Sequence, residues 1–132
     1  MEPAERLERL DRAIEELAVA SAFAPIVVEG QRDEAALRAL GIEGEIFVYN
    51  RGGTMADVAE LLRPRTLIVV LFDWDRKGGA LTQRLKELLG GTTKLNLDLR
   101  RELATVSLVR CVEDLPAARR ALQRRLDPRA GE

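Results

Sequence analysis

The sequence predicts an α/β fold, a parallel four-stranded sheet between helices with an extra helix at the N-terminus. Three observations carry this expectation. Residues 25–28, 45–49 and 66–72 read as short strands, and the first and third lack polar alternation, as strands covered on both faces do. Helical segments stand between these runs, and strand–helix repetition implies right-handed crossovers between parallel strands. No linker or break in composition divides the 132 residues, a common length for one domain.

Taken in order, residues 3–21 are expected to form an amphipathic helix. Leu7, Leu10, Ile14 and Leu17 recur at helical spacing, and Pro3 suits a first turn. The stripe covers about two heptads, so the helix should dock on the core (about 24–116) rather than stand alone as a coiled coil. It could also build a homodimer. The first strand ends at Glu29-Gly30, and a helix is predicted over 32–40. The second strand opens into Asn50-Arg51-Gly52-Gly53, after which Thr54 is placed to cap a helix over 55–62 that Pro64 ends. The third strand runs into Asp73-Trp74-Asp75-Arg76-Lys77-Gly78, and a helix over about 79–89 stops at Gly90-Gly91. Beyond Gly91 the pattern weakens. Residues 105–109 are expected as the fourth strand, alone or at the end of a stretch that begins as a short helix at Asp98. A last helix over 117–126 follows Asp114-Leu115-Pro116.

Composition narrows the chemistry. The chain has no histidine, which removes imidazole acid/base chemistry, Ser-His-Asp triads and histidine metal sites. One cysteine, Cys111, rules out an internal disulfide and fits a reducing cytoplasm. Any metal must therefore sit on oxygen ligands, which points to Mg²⁺ or Mn²⁺. The N-terminus lacks the cationic-then-apolar order of a secretion signal, and the run 67–72 is too short to span a bilayer. A soluble cytoplasmic protein with no membrane partner is the expectation. The net charge of −1 does not announce a nucleic-acid binder, but all cations except Lys77, Lys86 and Lys94 are arginine, the side chain suited to phosphate. GC-rich coding is the better account of that bias on composition alone.

In open parallel sheets, ligands gather at the carboxyl ends of the strands. Glu29 leaves the first strand, Asn50 and Arg51 the second, and Asp73 and Asp75 the third. Asp73 and Asp75, two apart in extended chain, should share a side while Trp74 points away. With Glu29 on a neighbouring strand, three carboxylates would converge, each repulsion costing roughly 4 kcal/mol at about 4 Å and an effective dielectric near 20. A divalent cation would relieve this, or one carboxyl would stay protonated. The competing account is capping: it is strong for Asp33, in the first turn of its helix, fair for Asp75, and weak for Glu29.

Two segments carry a family resemblance. Pro25-Ile26-Val27-Val28-Glu29-Gly30-Gln31-Arg32-Asp33 resembles the first Toprim motif, and Val69-Val70-Leu71-Phe72-Asp73-Trp74-Asp75-Arg76-Lys77-Gly78 resembles the second, Asp-x-Asp-x-x-Gly. The Rossmann-like Toprim fold is what this resemblance implies, with Glu29 as acid/base, Asp73 and Asp75 as Mg²⁺ ligands, and Asp33 as an outer-shell or second-metal ligand. Mg²⁺ (or Mn²⁺) would act on a phosphodiester as Lewis acid and template. The lone tyrosine, Tyr49, ends a predicted strand, so the topoisomerase nucleophile is missing, and there is no zinc module of a primase. By size the chain resembles small stand-alone archaeal and bacterial primase-like Toprim proteins and the ribonuclease that matures 5S ribosomal RNA. The reaction class that the resemblance implies is a metal-dependent nuclease; the expected substrate is RNA before DNA, lying across the strand ends and held by Arg51, Arg76 and Lys77.

Two rivals stand beside this. A haloacid-dehalogenase-type phosphatase also ends a strand in Asp-x-Asp, but Lys77 occupies the place where that family wants Thr or Val. A non-catalytic RNA- or protein-binding module is the other. Its support is the cluster Arg119, Arg120, Arg124, Arg125 and Arg129, preceded by Arg100-Arg101, with Arg120 and Arg124 four apart on one helix face.

Overall fold

The two most apolar strands sit at the centre of the sheet. In this computed structural model, which describes residues 1–51, 53–127 and 129, β1 (Ile26–Val28) lies between β2 (Ile46–Val48) and β3 (Leu67–Val70). Beyond β3, at the sheet edge, runs β4 (Lys94–Asn96). All pairings are parallel, with Ile26 opposite both Ile46 and Val69, and Val69 opposite Asn96. Gly52 of the predicted glycine pair, and residues 128 and 130–132 of the polar tail, lie outside the described residues.

Alternation along β1 and β3 feeds two apolar layers. Ile26, Val28, Val69 and Leu71 face one layer, built with helices α1 (Pro3–Ala20), α2 (Gln31–Ala39), α5 (Asp98–Val106) and α6 (Leu115–Leu126). Val27, Ile68, Val70 and Phe72 face the other, built with α3 (Met55–Leu62) and α4 (Arg76–Leu89). This explains the missing polar alternation in both strands. Among the described residues no helix is long and apolar enough to cross a membrane.

α1 docks as its stripe predicts. Leu10, Ala13, Ile14 and Leu17 are buried, and each fully buried leucine contributes ~2 kcal/mol. Arg9 clamps Glu102 of α5 at 2.6 and 3.0 Å, while Arg119 of α6 reaches Asp11 at 2.7 Å. At the head of α3, Thr54 accepts from the Asp57 N–H and Asp57 accepts from the Thr54 N–H, a reciprocal cap. α4 ends where Gly90 and Gly91 take positive φ, 47° and 84°.

The expected fourth strand is corrected. Residues 98–106 are helix α5, no described residue after them joins the sheet, and β4 is the three-residue Lys94–Asn96. Leu99, Leu103 and Val106 are buried at helical spacing, so tertiary packing overrides the β-propensity of Thr105, Val106 and Val109. Two helices also start earlier than predicted. α4 begins at Arg76, because Asp75 caps it, and α6 begins at Leu115.

Candidate functional site

The chain leaves β1 for β2 on one side and then places β3 on the other, so the strand order reverses between β1 and β3. Crevices form at such switch points, beyond the carboxyl ends of the strands. Here one of about 670 Å³ opens, lined among others by Glu29, Asp33, Asp73, Asn50, Arg32 and Glu113.

Each of the four acids singled out from the sequence accepts a hydrogen bond from a main-chain amide. Glu29 Oε1 accepts from the Asp73 N–H at 3.2 Å, which sets these two acids side by side across β1 and β3. Asp73 Oδ1 in turn accepts from the Val112 N–H at 2.9 Å, from the connection between α5 and α6. Asp33 Oδ2 accepts from the Gly30 N–H at 3.1 Å, and Asp75 Oδ1 from the Gly78 N–H at 2.7 Å. Asp33 and Asp75 therefore cap α2 and α4. Trp74 points away from the crevice, as predicted, and its indole N–H donates to the Val109 carbonyl.

The expected convergence of three carboxylates is corrected. Among the described residues no three acids come close enough to form a ready-made metal cage, because Asp75 is turned to its helix cap and Asp33 to Gly30. Of the three, Glu29 and Asp73 remain in the crevice lining, beside Asp33 and Glu113. None of the four acids has a cation within ion-pair distance among the described residues. Donors of this kind suit a hard cation that takes one or two carboxylates and keeps several waters.

Burial, then the charges of Asp33, Glu29 and Asp75, lifts the Asp73 carboxyl to about 6, against the opposing Val112 N–H. Glu29 is raised too, by burial first, with Asp75 and Asp33 adding and the Asp73 N–H and Lys77 opposing. Burial likewise raises Asp33, helped by Glu113. Burial and Asp114 push the Cys111 thiol up to about 12, which holds it in the protonated form.

These shifts predict a pH dependence. In the fold Asp73 holds its proton to about 6, whereas in the unfolded chain it releases it near 3.8. Between those values the native state binds more protons, so stability falls as pH rises through the window. Discounted for solvent screening, the Asp73 contribution is no more than about 2 kcal/mol. Urea unfolding in EDTA at stepped pH should show the decline. Asp73→Asn should flatten it, and an unchanged slope would refute the assignment.

The sequence reading missed Arg100. Grouped with the basic segment, it instead reaches from α5 to the end of β3, donating through Nε to the Phe72 carbonyl at 2.8 Å and through Nη2 to the Asp73 carbonyl at 2.7 Å. Its half-buried charge stands within the field of Asp75, Asp73 and Glu29, although burial lowers its own pKa. Main-chain carbonyls leave no mark in a sequence, so no motif could have flagged it. Charged hydrogen bonds contribute about 1.5–3 kcal/mol each, so Arg100→Ala should cost about 3 kcal/mol in urea unfolding. Arg100→Lys should recover only part.

Of the cations predicted to hold substrate, Arg51 is paired with Glu34 at 3.2 Å, and Arg76 and Lys77 are exposed in the first turn of α4. Lys77 is near enough to act on Glu29. Arg32, not singled out before, lines the crevice and lies 3.8 Å from Glu113.

No family model matches the sequence. A UPF0292 protein of Pyrococcus furiosus is 38% identical over 113 residues, covering 84% of each chain. The chain belongs to the UPF0292 family. Another UPF0292 protein, from Thermococcus sibiricus, is 36% identical over 115 residues, covering 85% of this chain and 89% of its own. A third, from Methanocaldococcus jannaschii, is 34% identical over 115 residues, covering 84% and 90%. A solved structure of a protein from Aquifex aeolicus superposes with a TM-score of 0.68 at 30% identity, over 78% of this UPF0292 chain and 94% of its own.

Proposed function

We propose that the protein is a Mg²⁺-dependent nuclease of the Toprim type, acting on RNA in the cytoplasm. The observation that carries this reading is the Glu29–Asp73 pair, two acids joined through the Asp73 N–H at the switch point, with no cation paired to either among the described residues. The motif resemblance around Glu29-Gly30 and Asp73-Trp74-Asp75 supports it. The reaction class rests on that analogy rather than on the fold.

Asp73 and Glu29 would hold the ion through the oxygens not bound to main-chain amides, with Asp75 and Asp33 adding negative charge nearby. Bound there, Mg²⁺ or Mn²⁺ supplies a Lewis acid and a template for the phosphodiester. Glu29, its carboxyl raised by burial, suits proton transfer at the attacking or leaving oxygen. Asp33 keeps the turn at Gly30 closed, and Arg100 fixes the carbonyl end of β3 beneath the pair. Arg32, Lys77, Arg76 and Arg51 ring this end of the sheet and would meet the phosphates.

The test is cleavage of labelled structured RNAs and DNAs with Mg²⁺, Mn²⁺ or EDTA, by the protein and by Asp73→Asn and Glu29→Gln. Metal-dependent cleavage lost in both variants supports the reading. Silence across the panel, with folded protein that still binds metal, favours a second one: a binding module for RNA or protein. Arg120 and Arg124, exposed and without ion pairs among the described residues, favour that alternative.

A further inference from the structure

Two apolar patches outside the crevice lining carry opposite charge. The first is at the end of α1, where Val19 is 61% exposed and Phe23, just beyond the helix, 84%. A shallow hollow of about 320 Å³ there is lined by Arg12, Glu15, Glu16, Val19 and Ala20. Arg12 is taken by Glu8 at 3.1 Å, while Glu15 and Glu16 have no ion pair among the described residues. This patch is net acidic.

The second lies between α6 and the connection that follows α5. A groove of about 290 Å³ is lined by Leu108, Val109, Ala118, Ala121, Leu122 and Arg125. Leu108 is 66% exposed and sits at φ 65°, the only non-glycine residue with positive φ among the described residues. A left-handed conformation costs a residue with a Cβ about 1–2 kcal/mol. Neither local preference nor packing within the chain accounts for a leucine there. Arg124 and Arg125 beside the groove are exposed and have no ion pair among the described residues, so this patch is net basic.

We infer that the occupant of the Leu108 groove is the Phe23 end of α1 from a second copy of this chain. Each patch supplies what the other lacks, an apolar projection with a carboxylate rim against an apolar groove with a guanidinium rim. A like-with-like contact would set Glu15 and Glu16 against their own copies. Arg6, in the first turns of α1, donates to the Val106 carbonyl close to the groove. Val19 is near the other end of α1, ~20 Å along the axis at 1.5 Å per residue. One copy therefore offers its two surfaces at opposite ends of α1, and the contact either closes reciprocally in a two-fold dimer or runs head-to-tail as a ring or chain. It is independent of the chemistry proposed for the crevice.

Sedimentation velocity of the full-length protein over a concentration series tests this, with Phe23→Glu and Leu108→Gly. Both side chains are exposed, and glycine relieves the left-handed strain, so the thermal midpoint of Leu108→Gly should hold or rise. The wild type should associate as concentration rises, and each variant should weaken association at least about tenfold. Mixing the variants is decisive. Phe23→Glu keeps an intact groove and Leu108→Gly keeps an intact Phe23, so together they should form a dimer that grows no further. The inference is overturned by a wild type that stays monomeric throughout, by a mixture that stays monomeric, or by association that Phe23→Glu abolishes and Leu108→Gly leaves intact.

Discussion

Asp73→Asn is expected to reduce metal-dependent cleavage by about a thousandfold while leaving the metal-free protein at least as stable at neutral pH. The two effects have one origin. An amide oxygen can still accept from the Val112 N–H, so the tie of residue 73 to the α5–α6 connection survives. What disappears is a negative charge, raised to about 6 by burial and by its acidic neighbours, whose ionisation destabilises the fold. In the proposed role, loss of a charged metal ligand would remove several kcal/mol of transition-state stabilisation, and each 1.36 kcal/mol is a factor of ten in rate. Single-turnover rates and thermal melts of the same preparations should therefore move in opposite senses. A residue with only a structural role would lower both. Retention of activity to within a few-fold would sink the assignment of Asp73.

Gly78→Ala is expected to cost about 4 kcal/mol or more, enough to leave little folded protein. A Cβ at residue 78 would lie 1.7 Å from the Asp73 carbonyl oxygen and 2.6 Å from its carbon. That peptide cannot easily retreat. Arg100 holds the Asp73 oxygen at 2.7 Å, and the Asp73 N–H is bound to Glu29. The clash falls on backbone, where no rotamer change gives relief, which places it among the largest class of single-residue effects. Gly79→Ala is the control. Its Cβ would meet only Arg100 Nη2 at 3.9 Å, and alanine in a helix gains about 0.8–1 kcal/mol over glycine. Urea midpoints should fall sharply for the first variant and rise slightly for the second. The glycine of the Asp-x-Asp-x-x-Gly pattern thus serves close packing of α4 against β3, whatever else it meets.

Most of the architecture is legible in the residues, for reasons that also mark where reading fails. Ile26-Val27-Val28 and residues 67–72 declare themselves because both faces of β1 and β3 are covered, so nothing polar interrupts them. Thr54 announces α3 because a capping hydroxyl acts on its near neighbours in sequence. β4 is hidden because an edge strand of three residues, Lys94-Leu95-Asn96, buries too little to need an apolar run. α5 is hidden because Thr105, Val106 and Val109 suit a strand locally, while the burial of Leu99, Leu103 and Val106 decides for a helix. At the site, Glu29 and Asp73 are legible because strand ends fix their place. The separation of Asp75 from that pair is a contest between a helix cap and a shared cluster, which depends on where α4 begins. Arg100 and the Val112 N–H are invisible, since both act between main chain and a distant residue.

The dependence of Asp73 on Val112 has a consequence for a chain still being made. The edge strand β2 and both central strands, with both acids of the pair, precede residue 74, and the groups that set Asp73 in place arrive with Arg100 and Val112. A nascent chain that has exposed only β1 to β3 holds both acids but lacks the Arg100 side chain and the Val112 N–H that bind residue 73. Setting of the Glu29–Asp73 pair therefore waits for α5 and the connection after it.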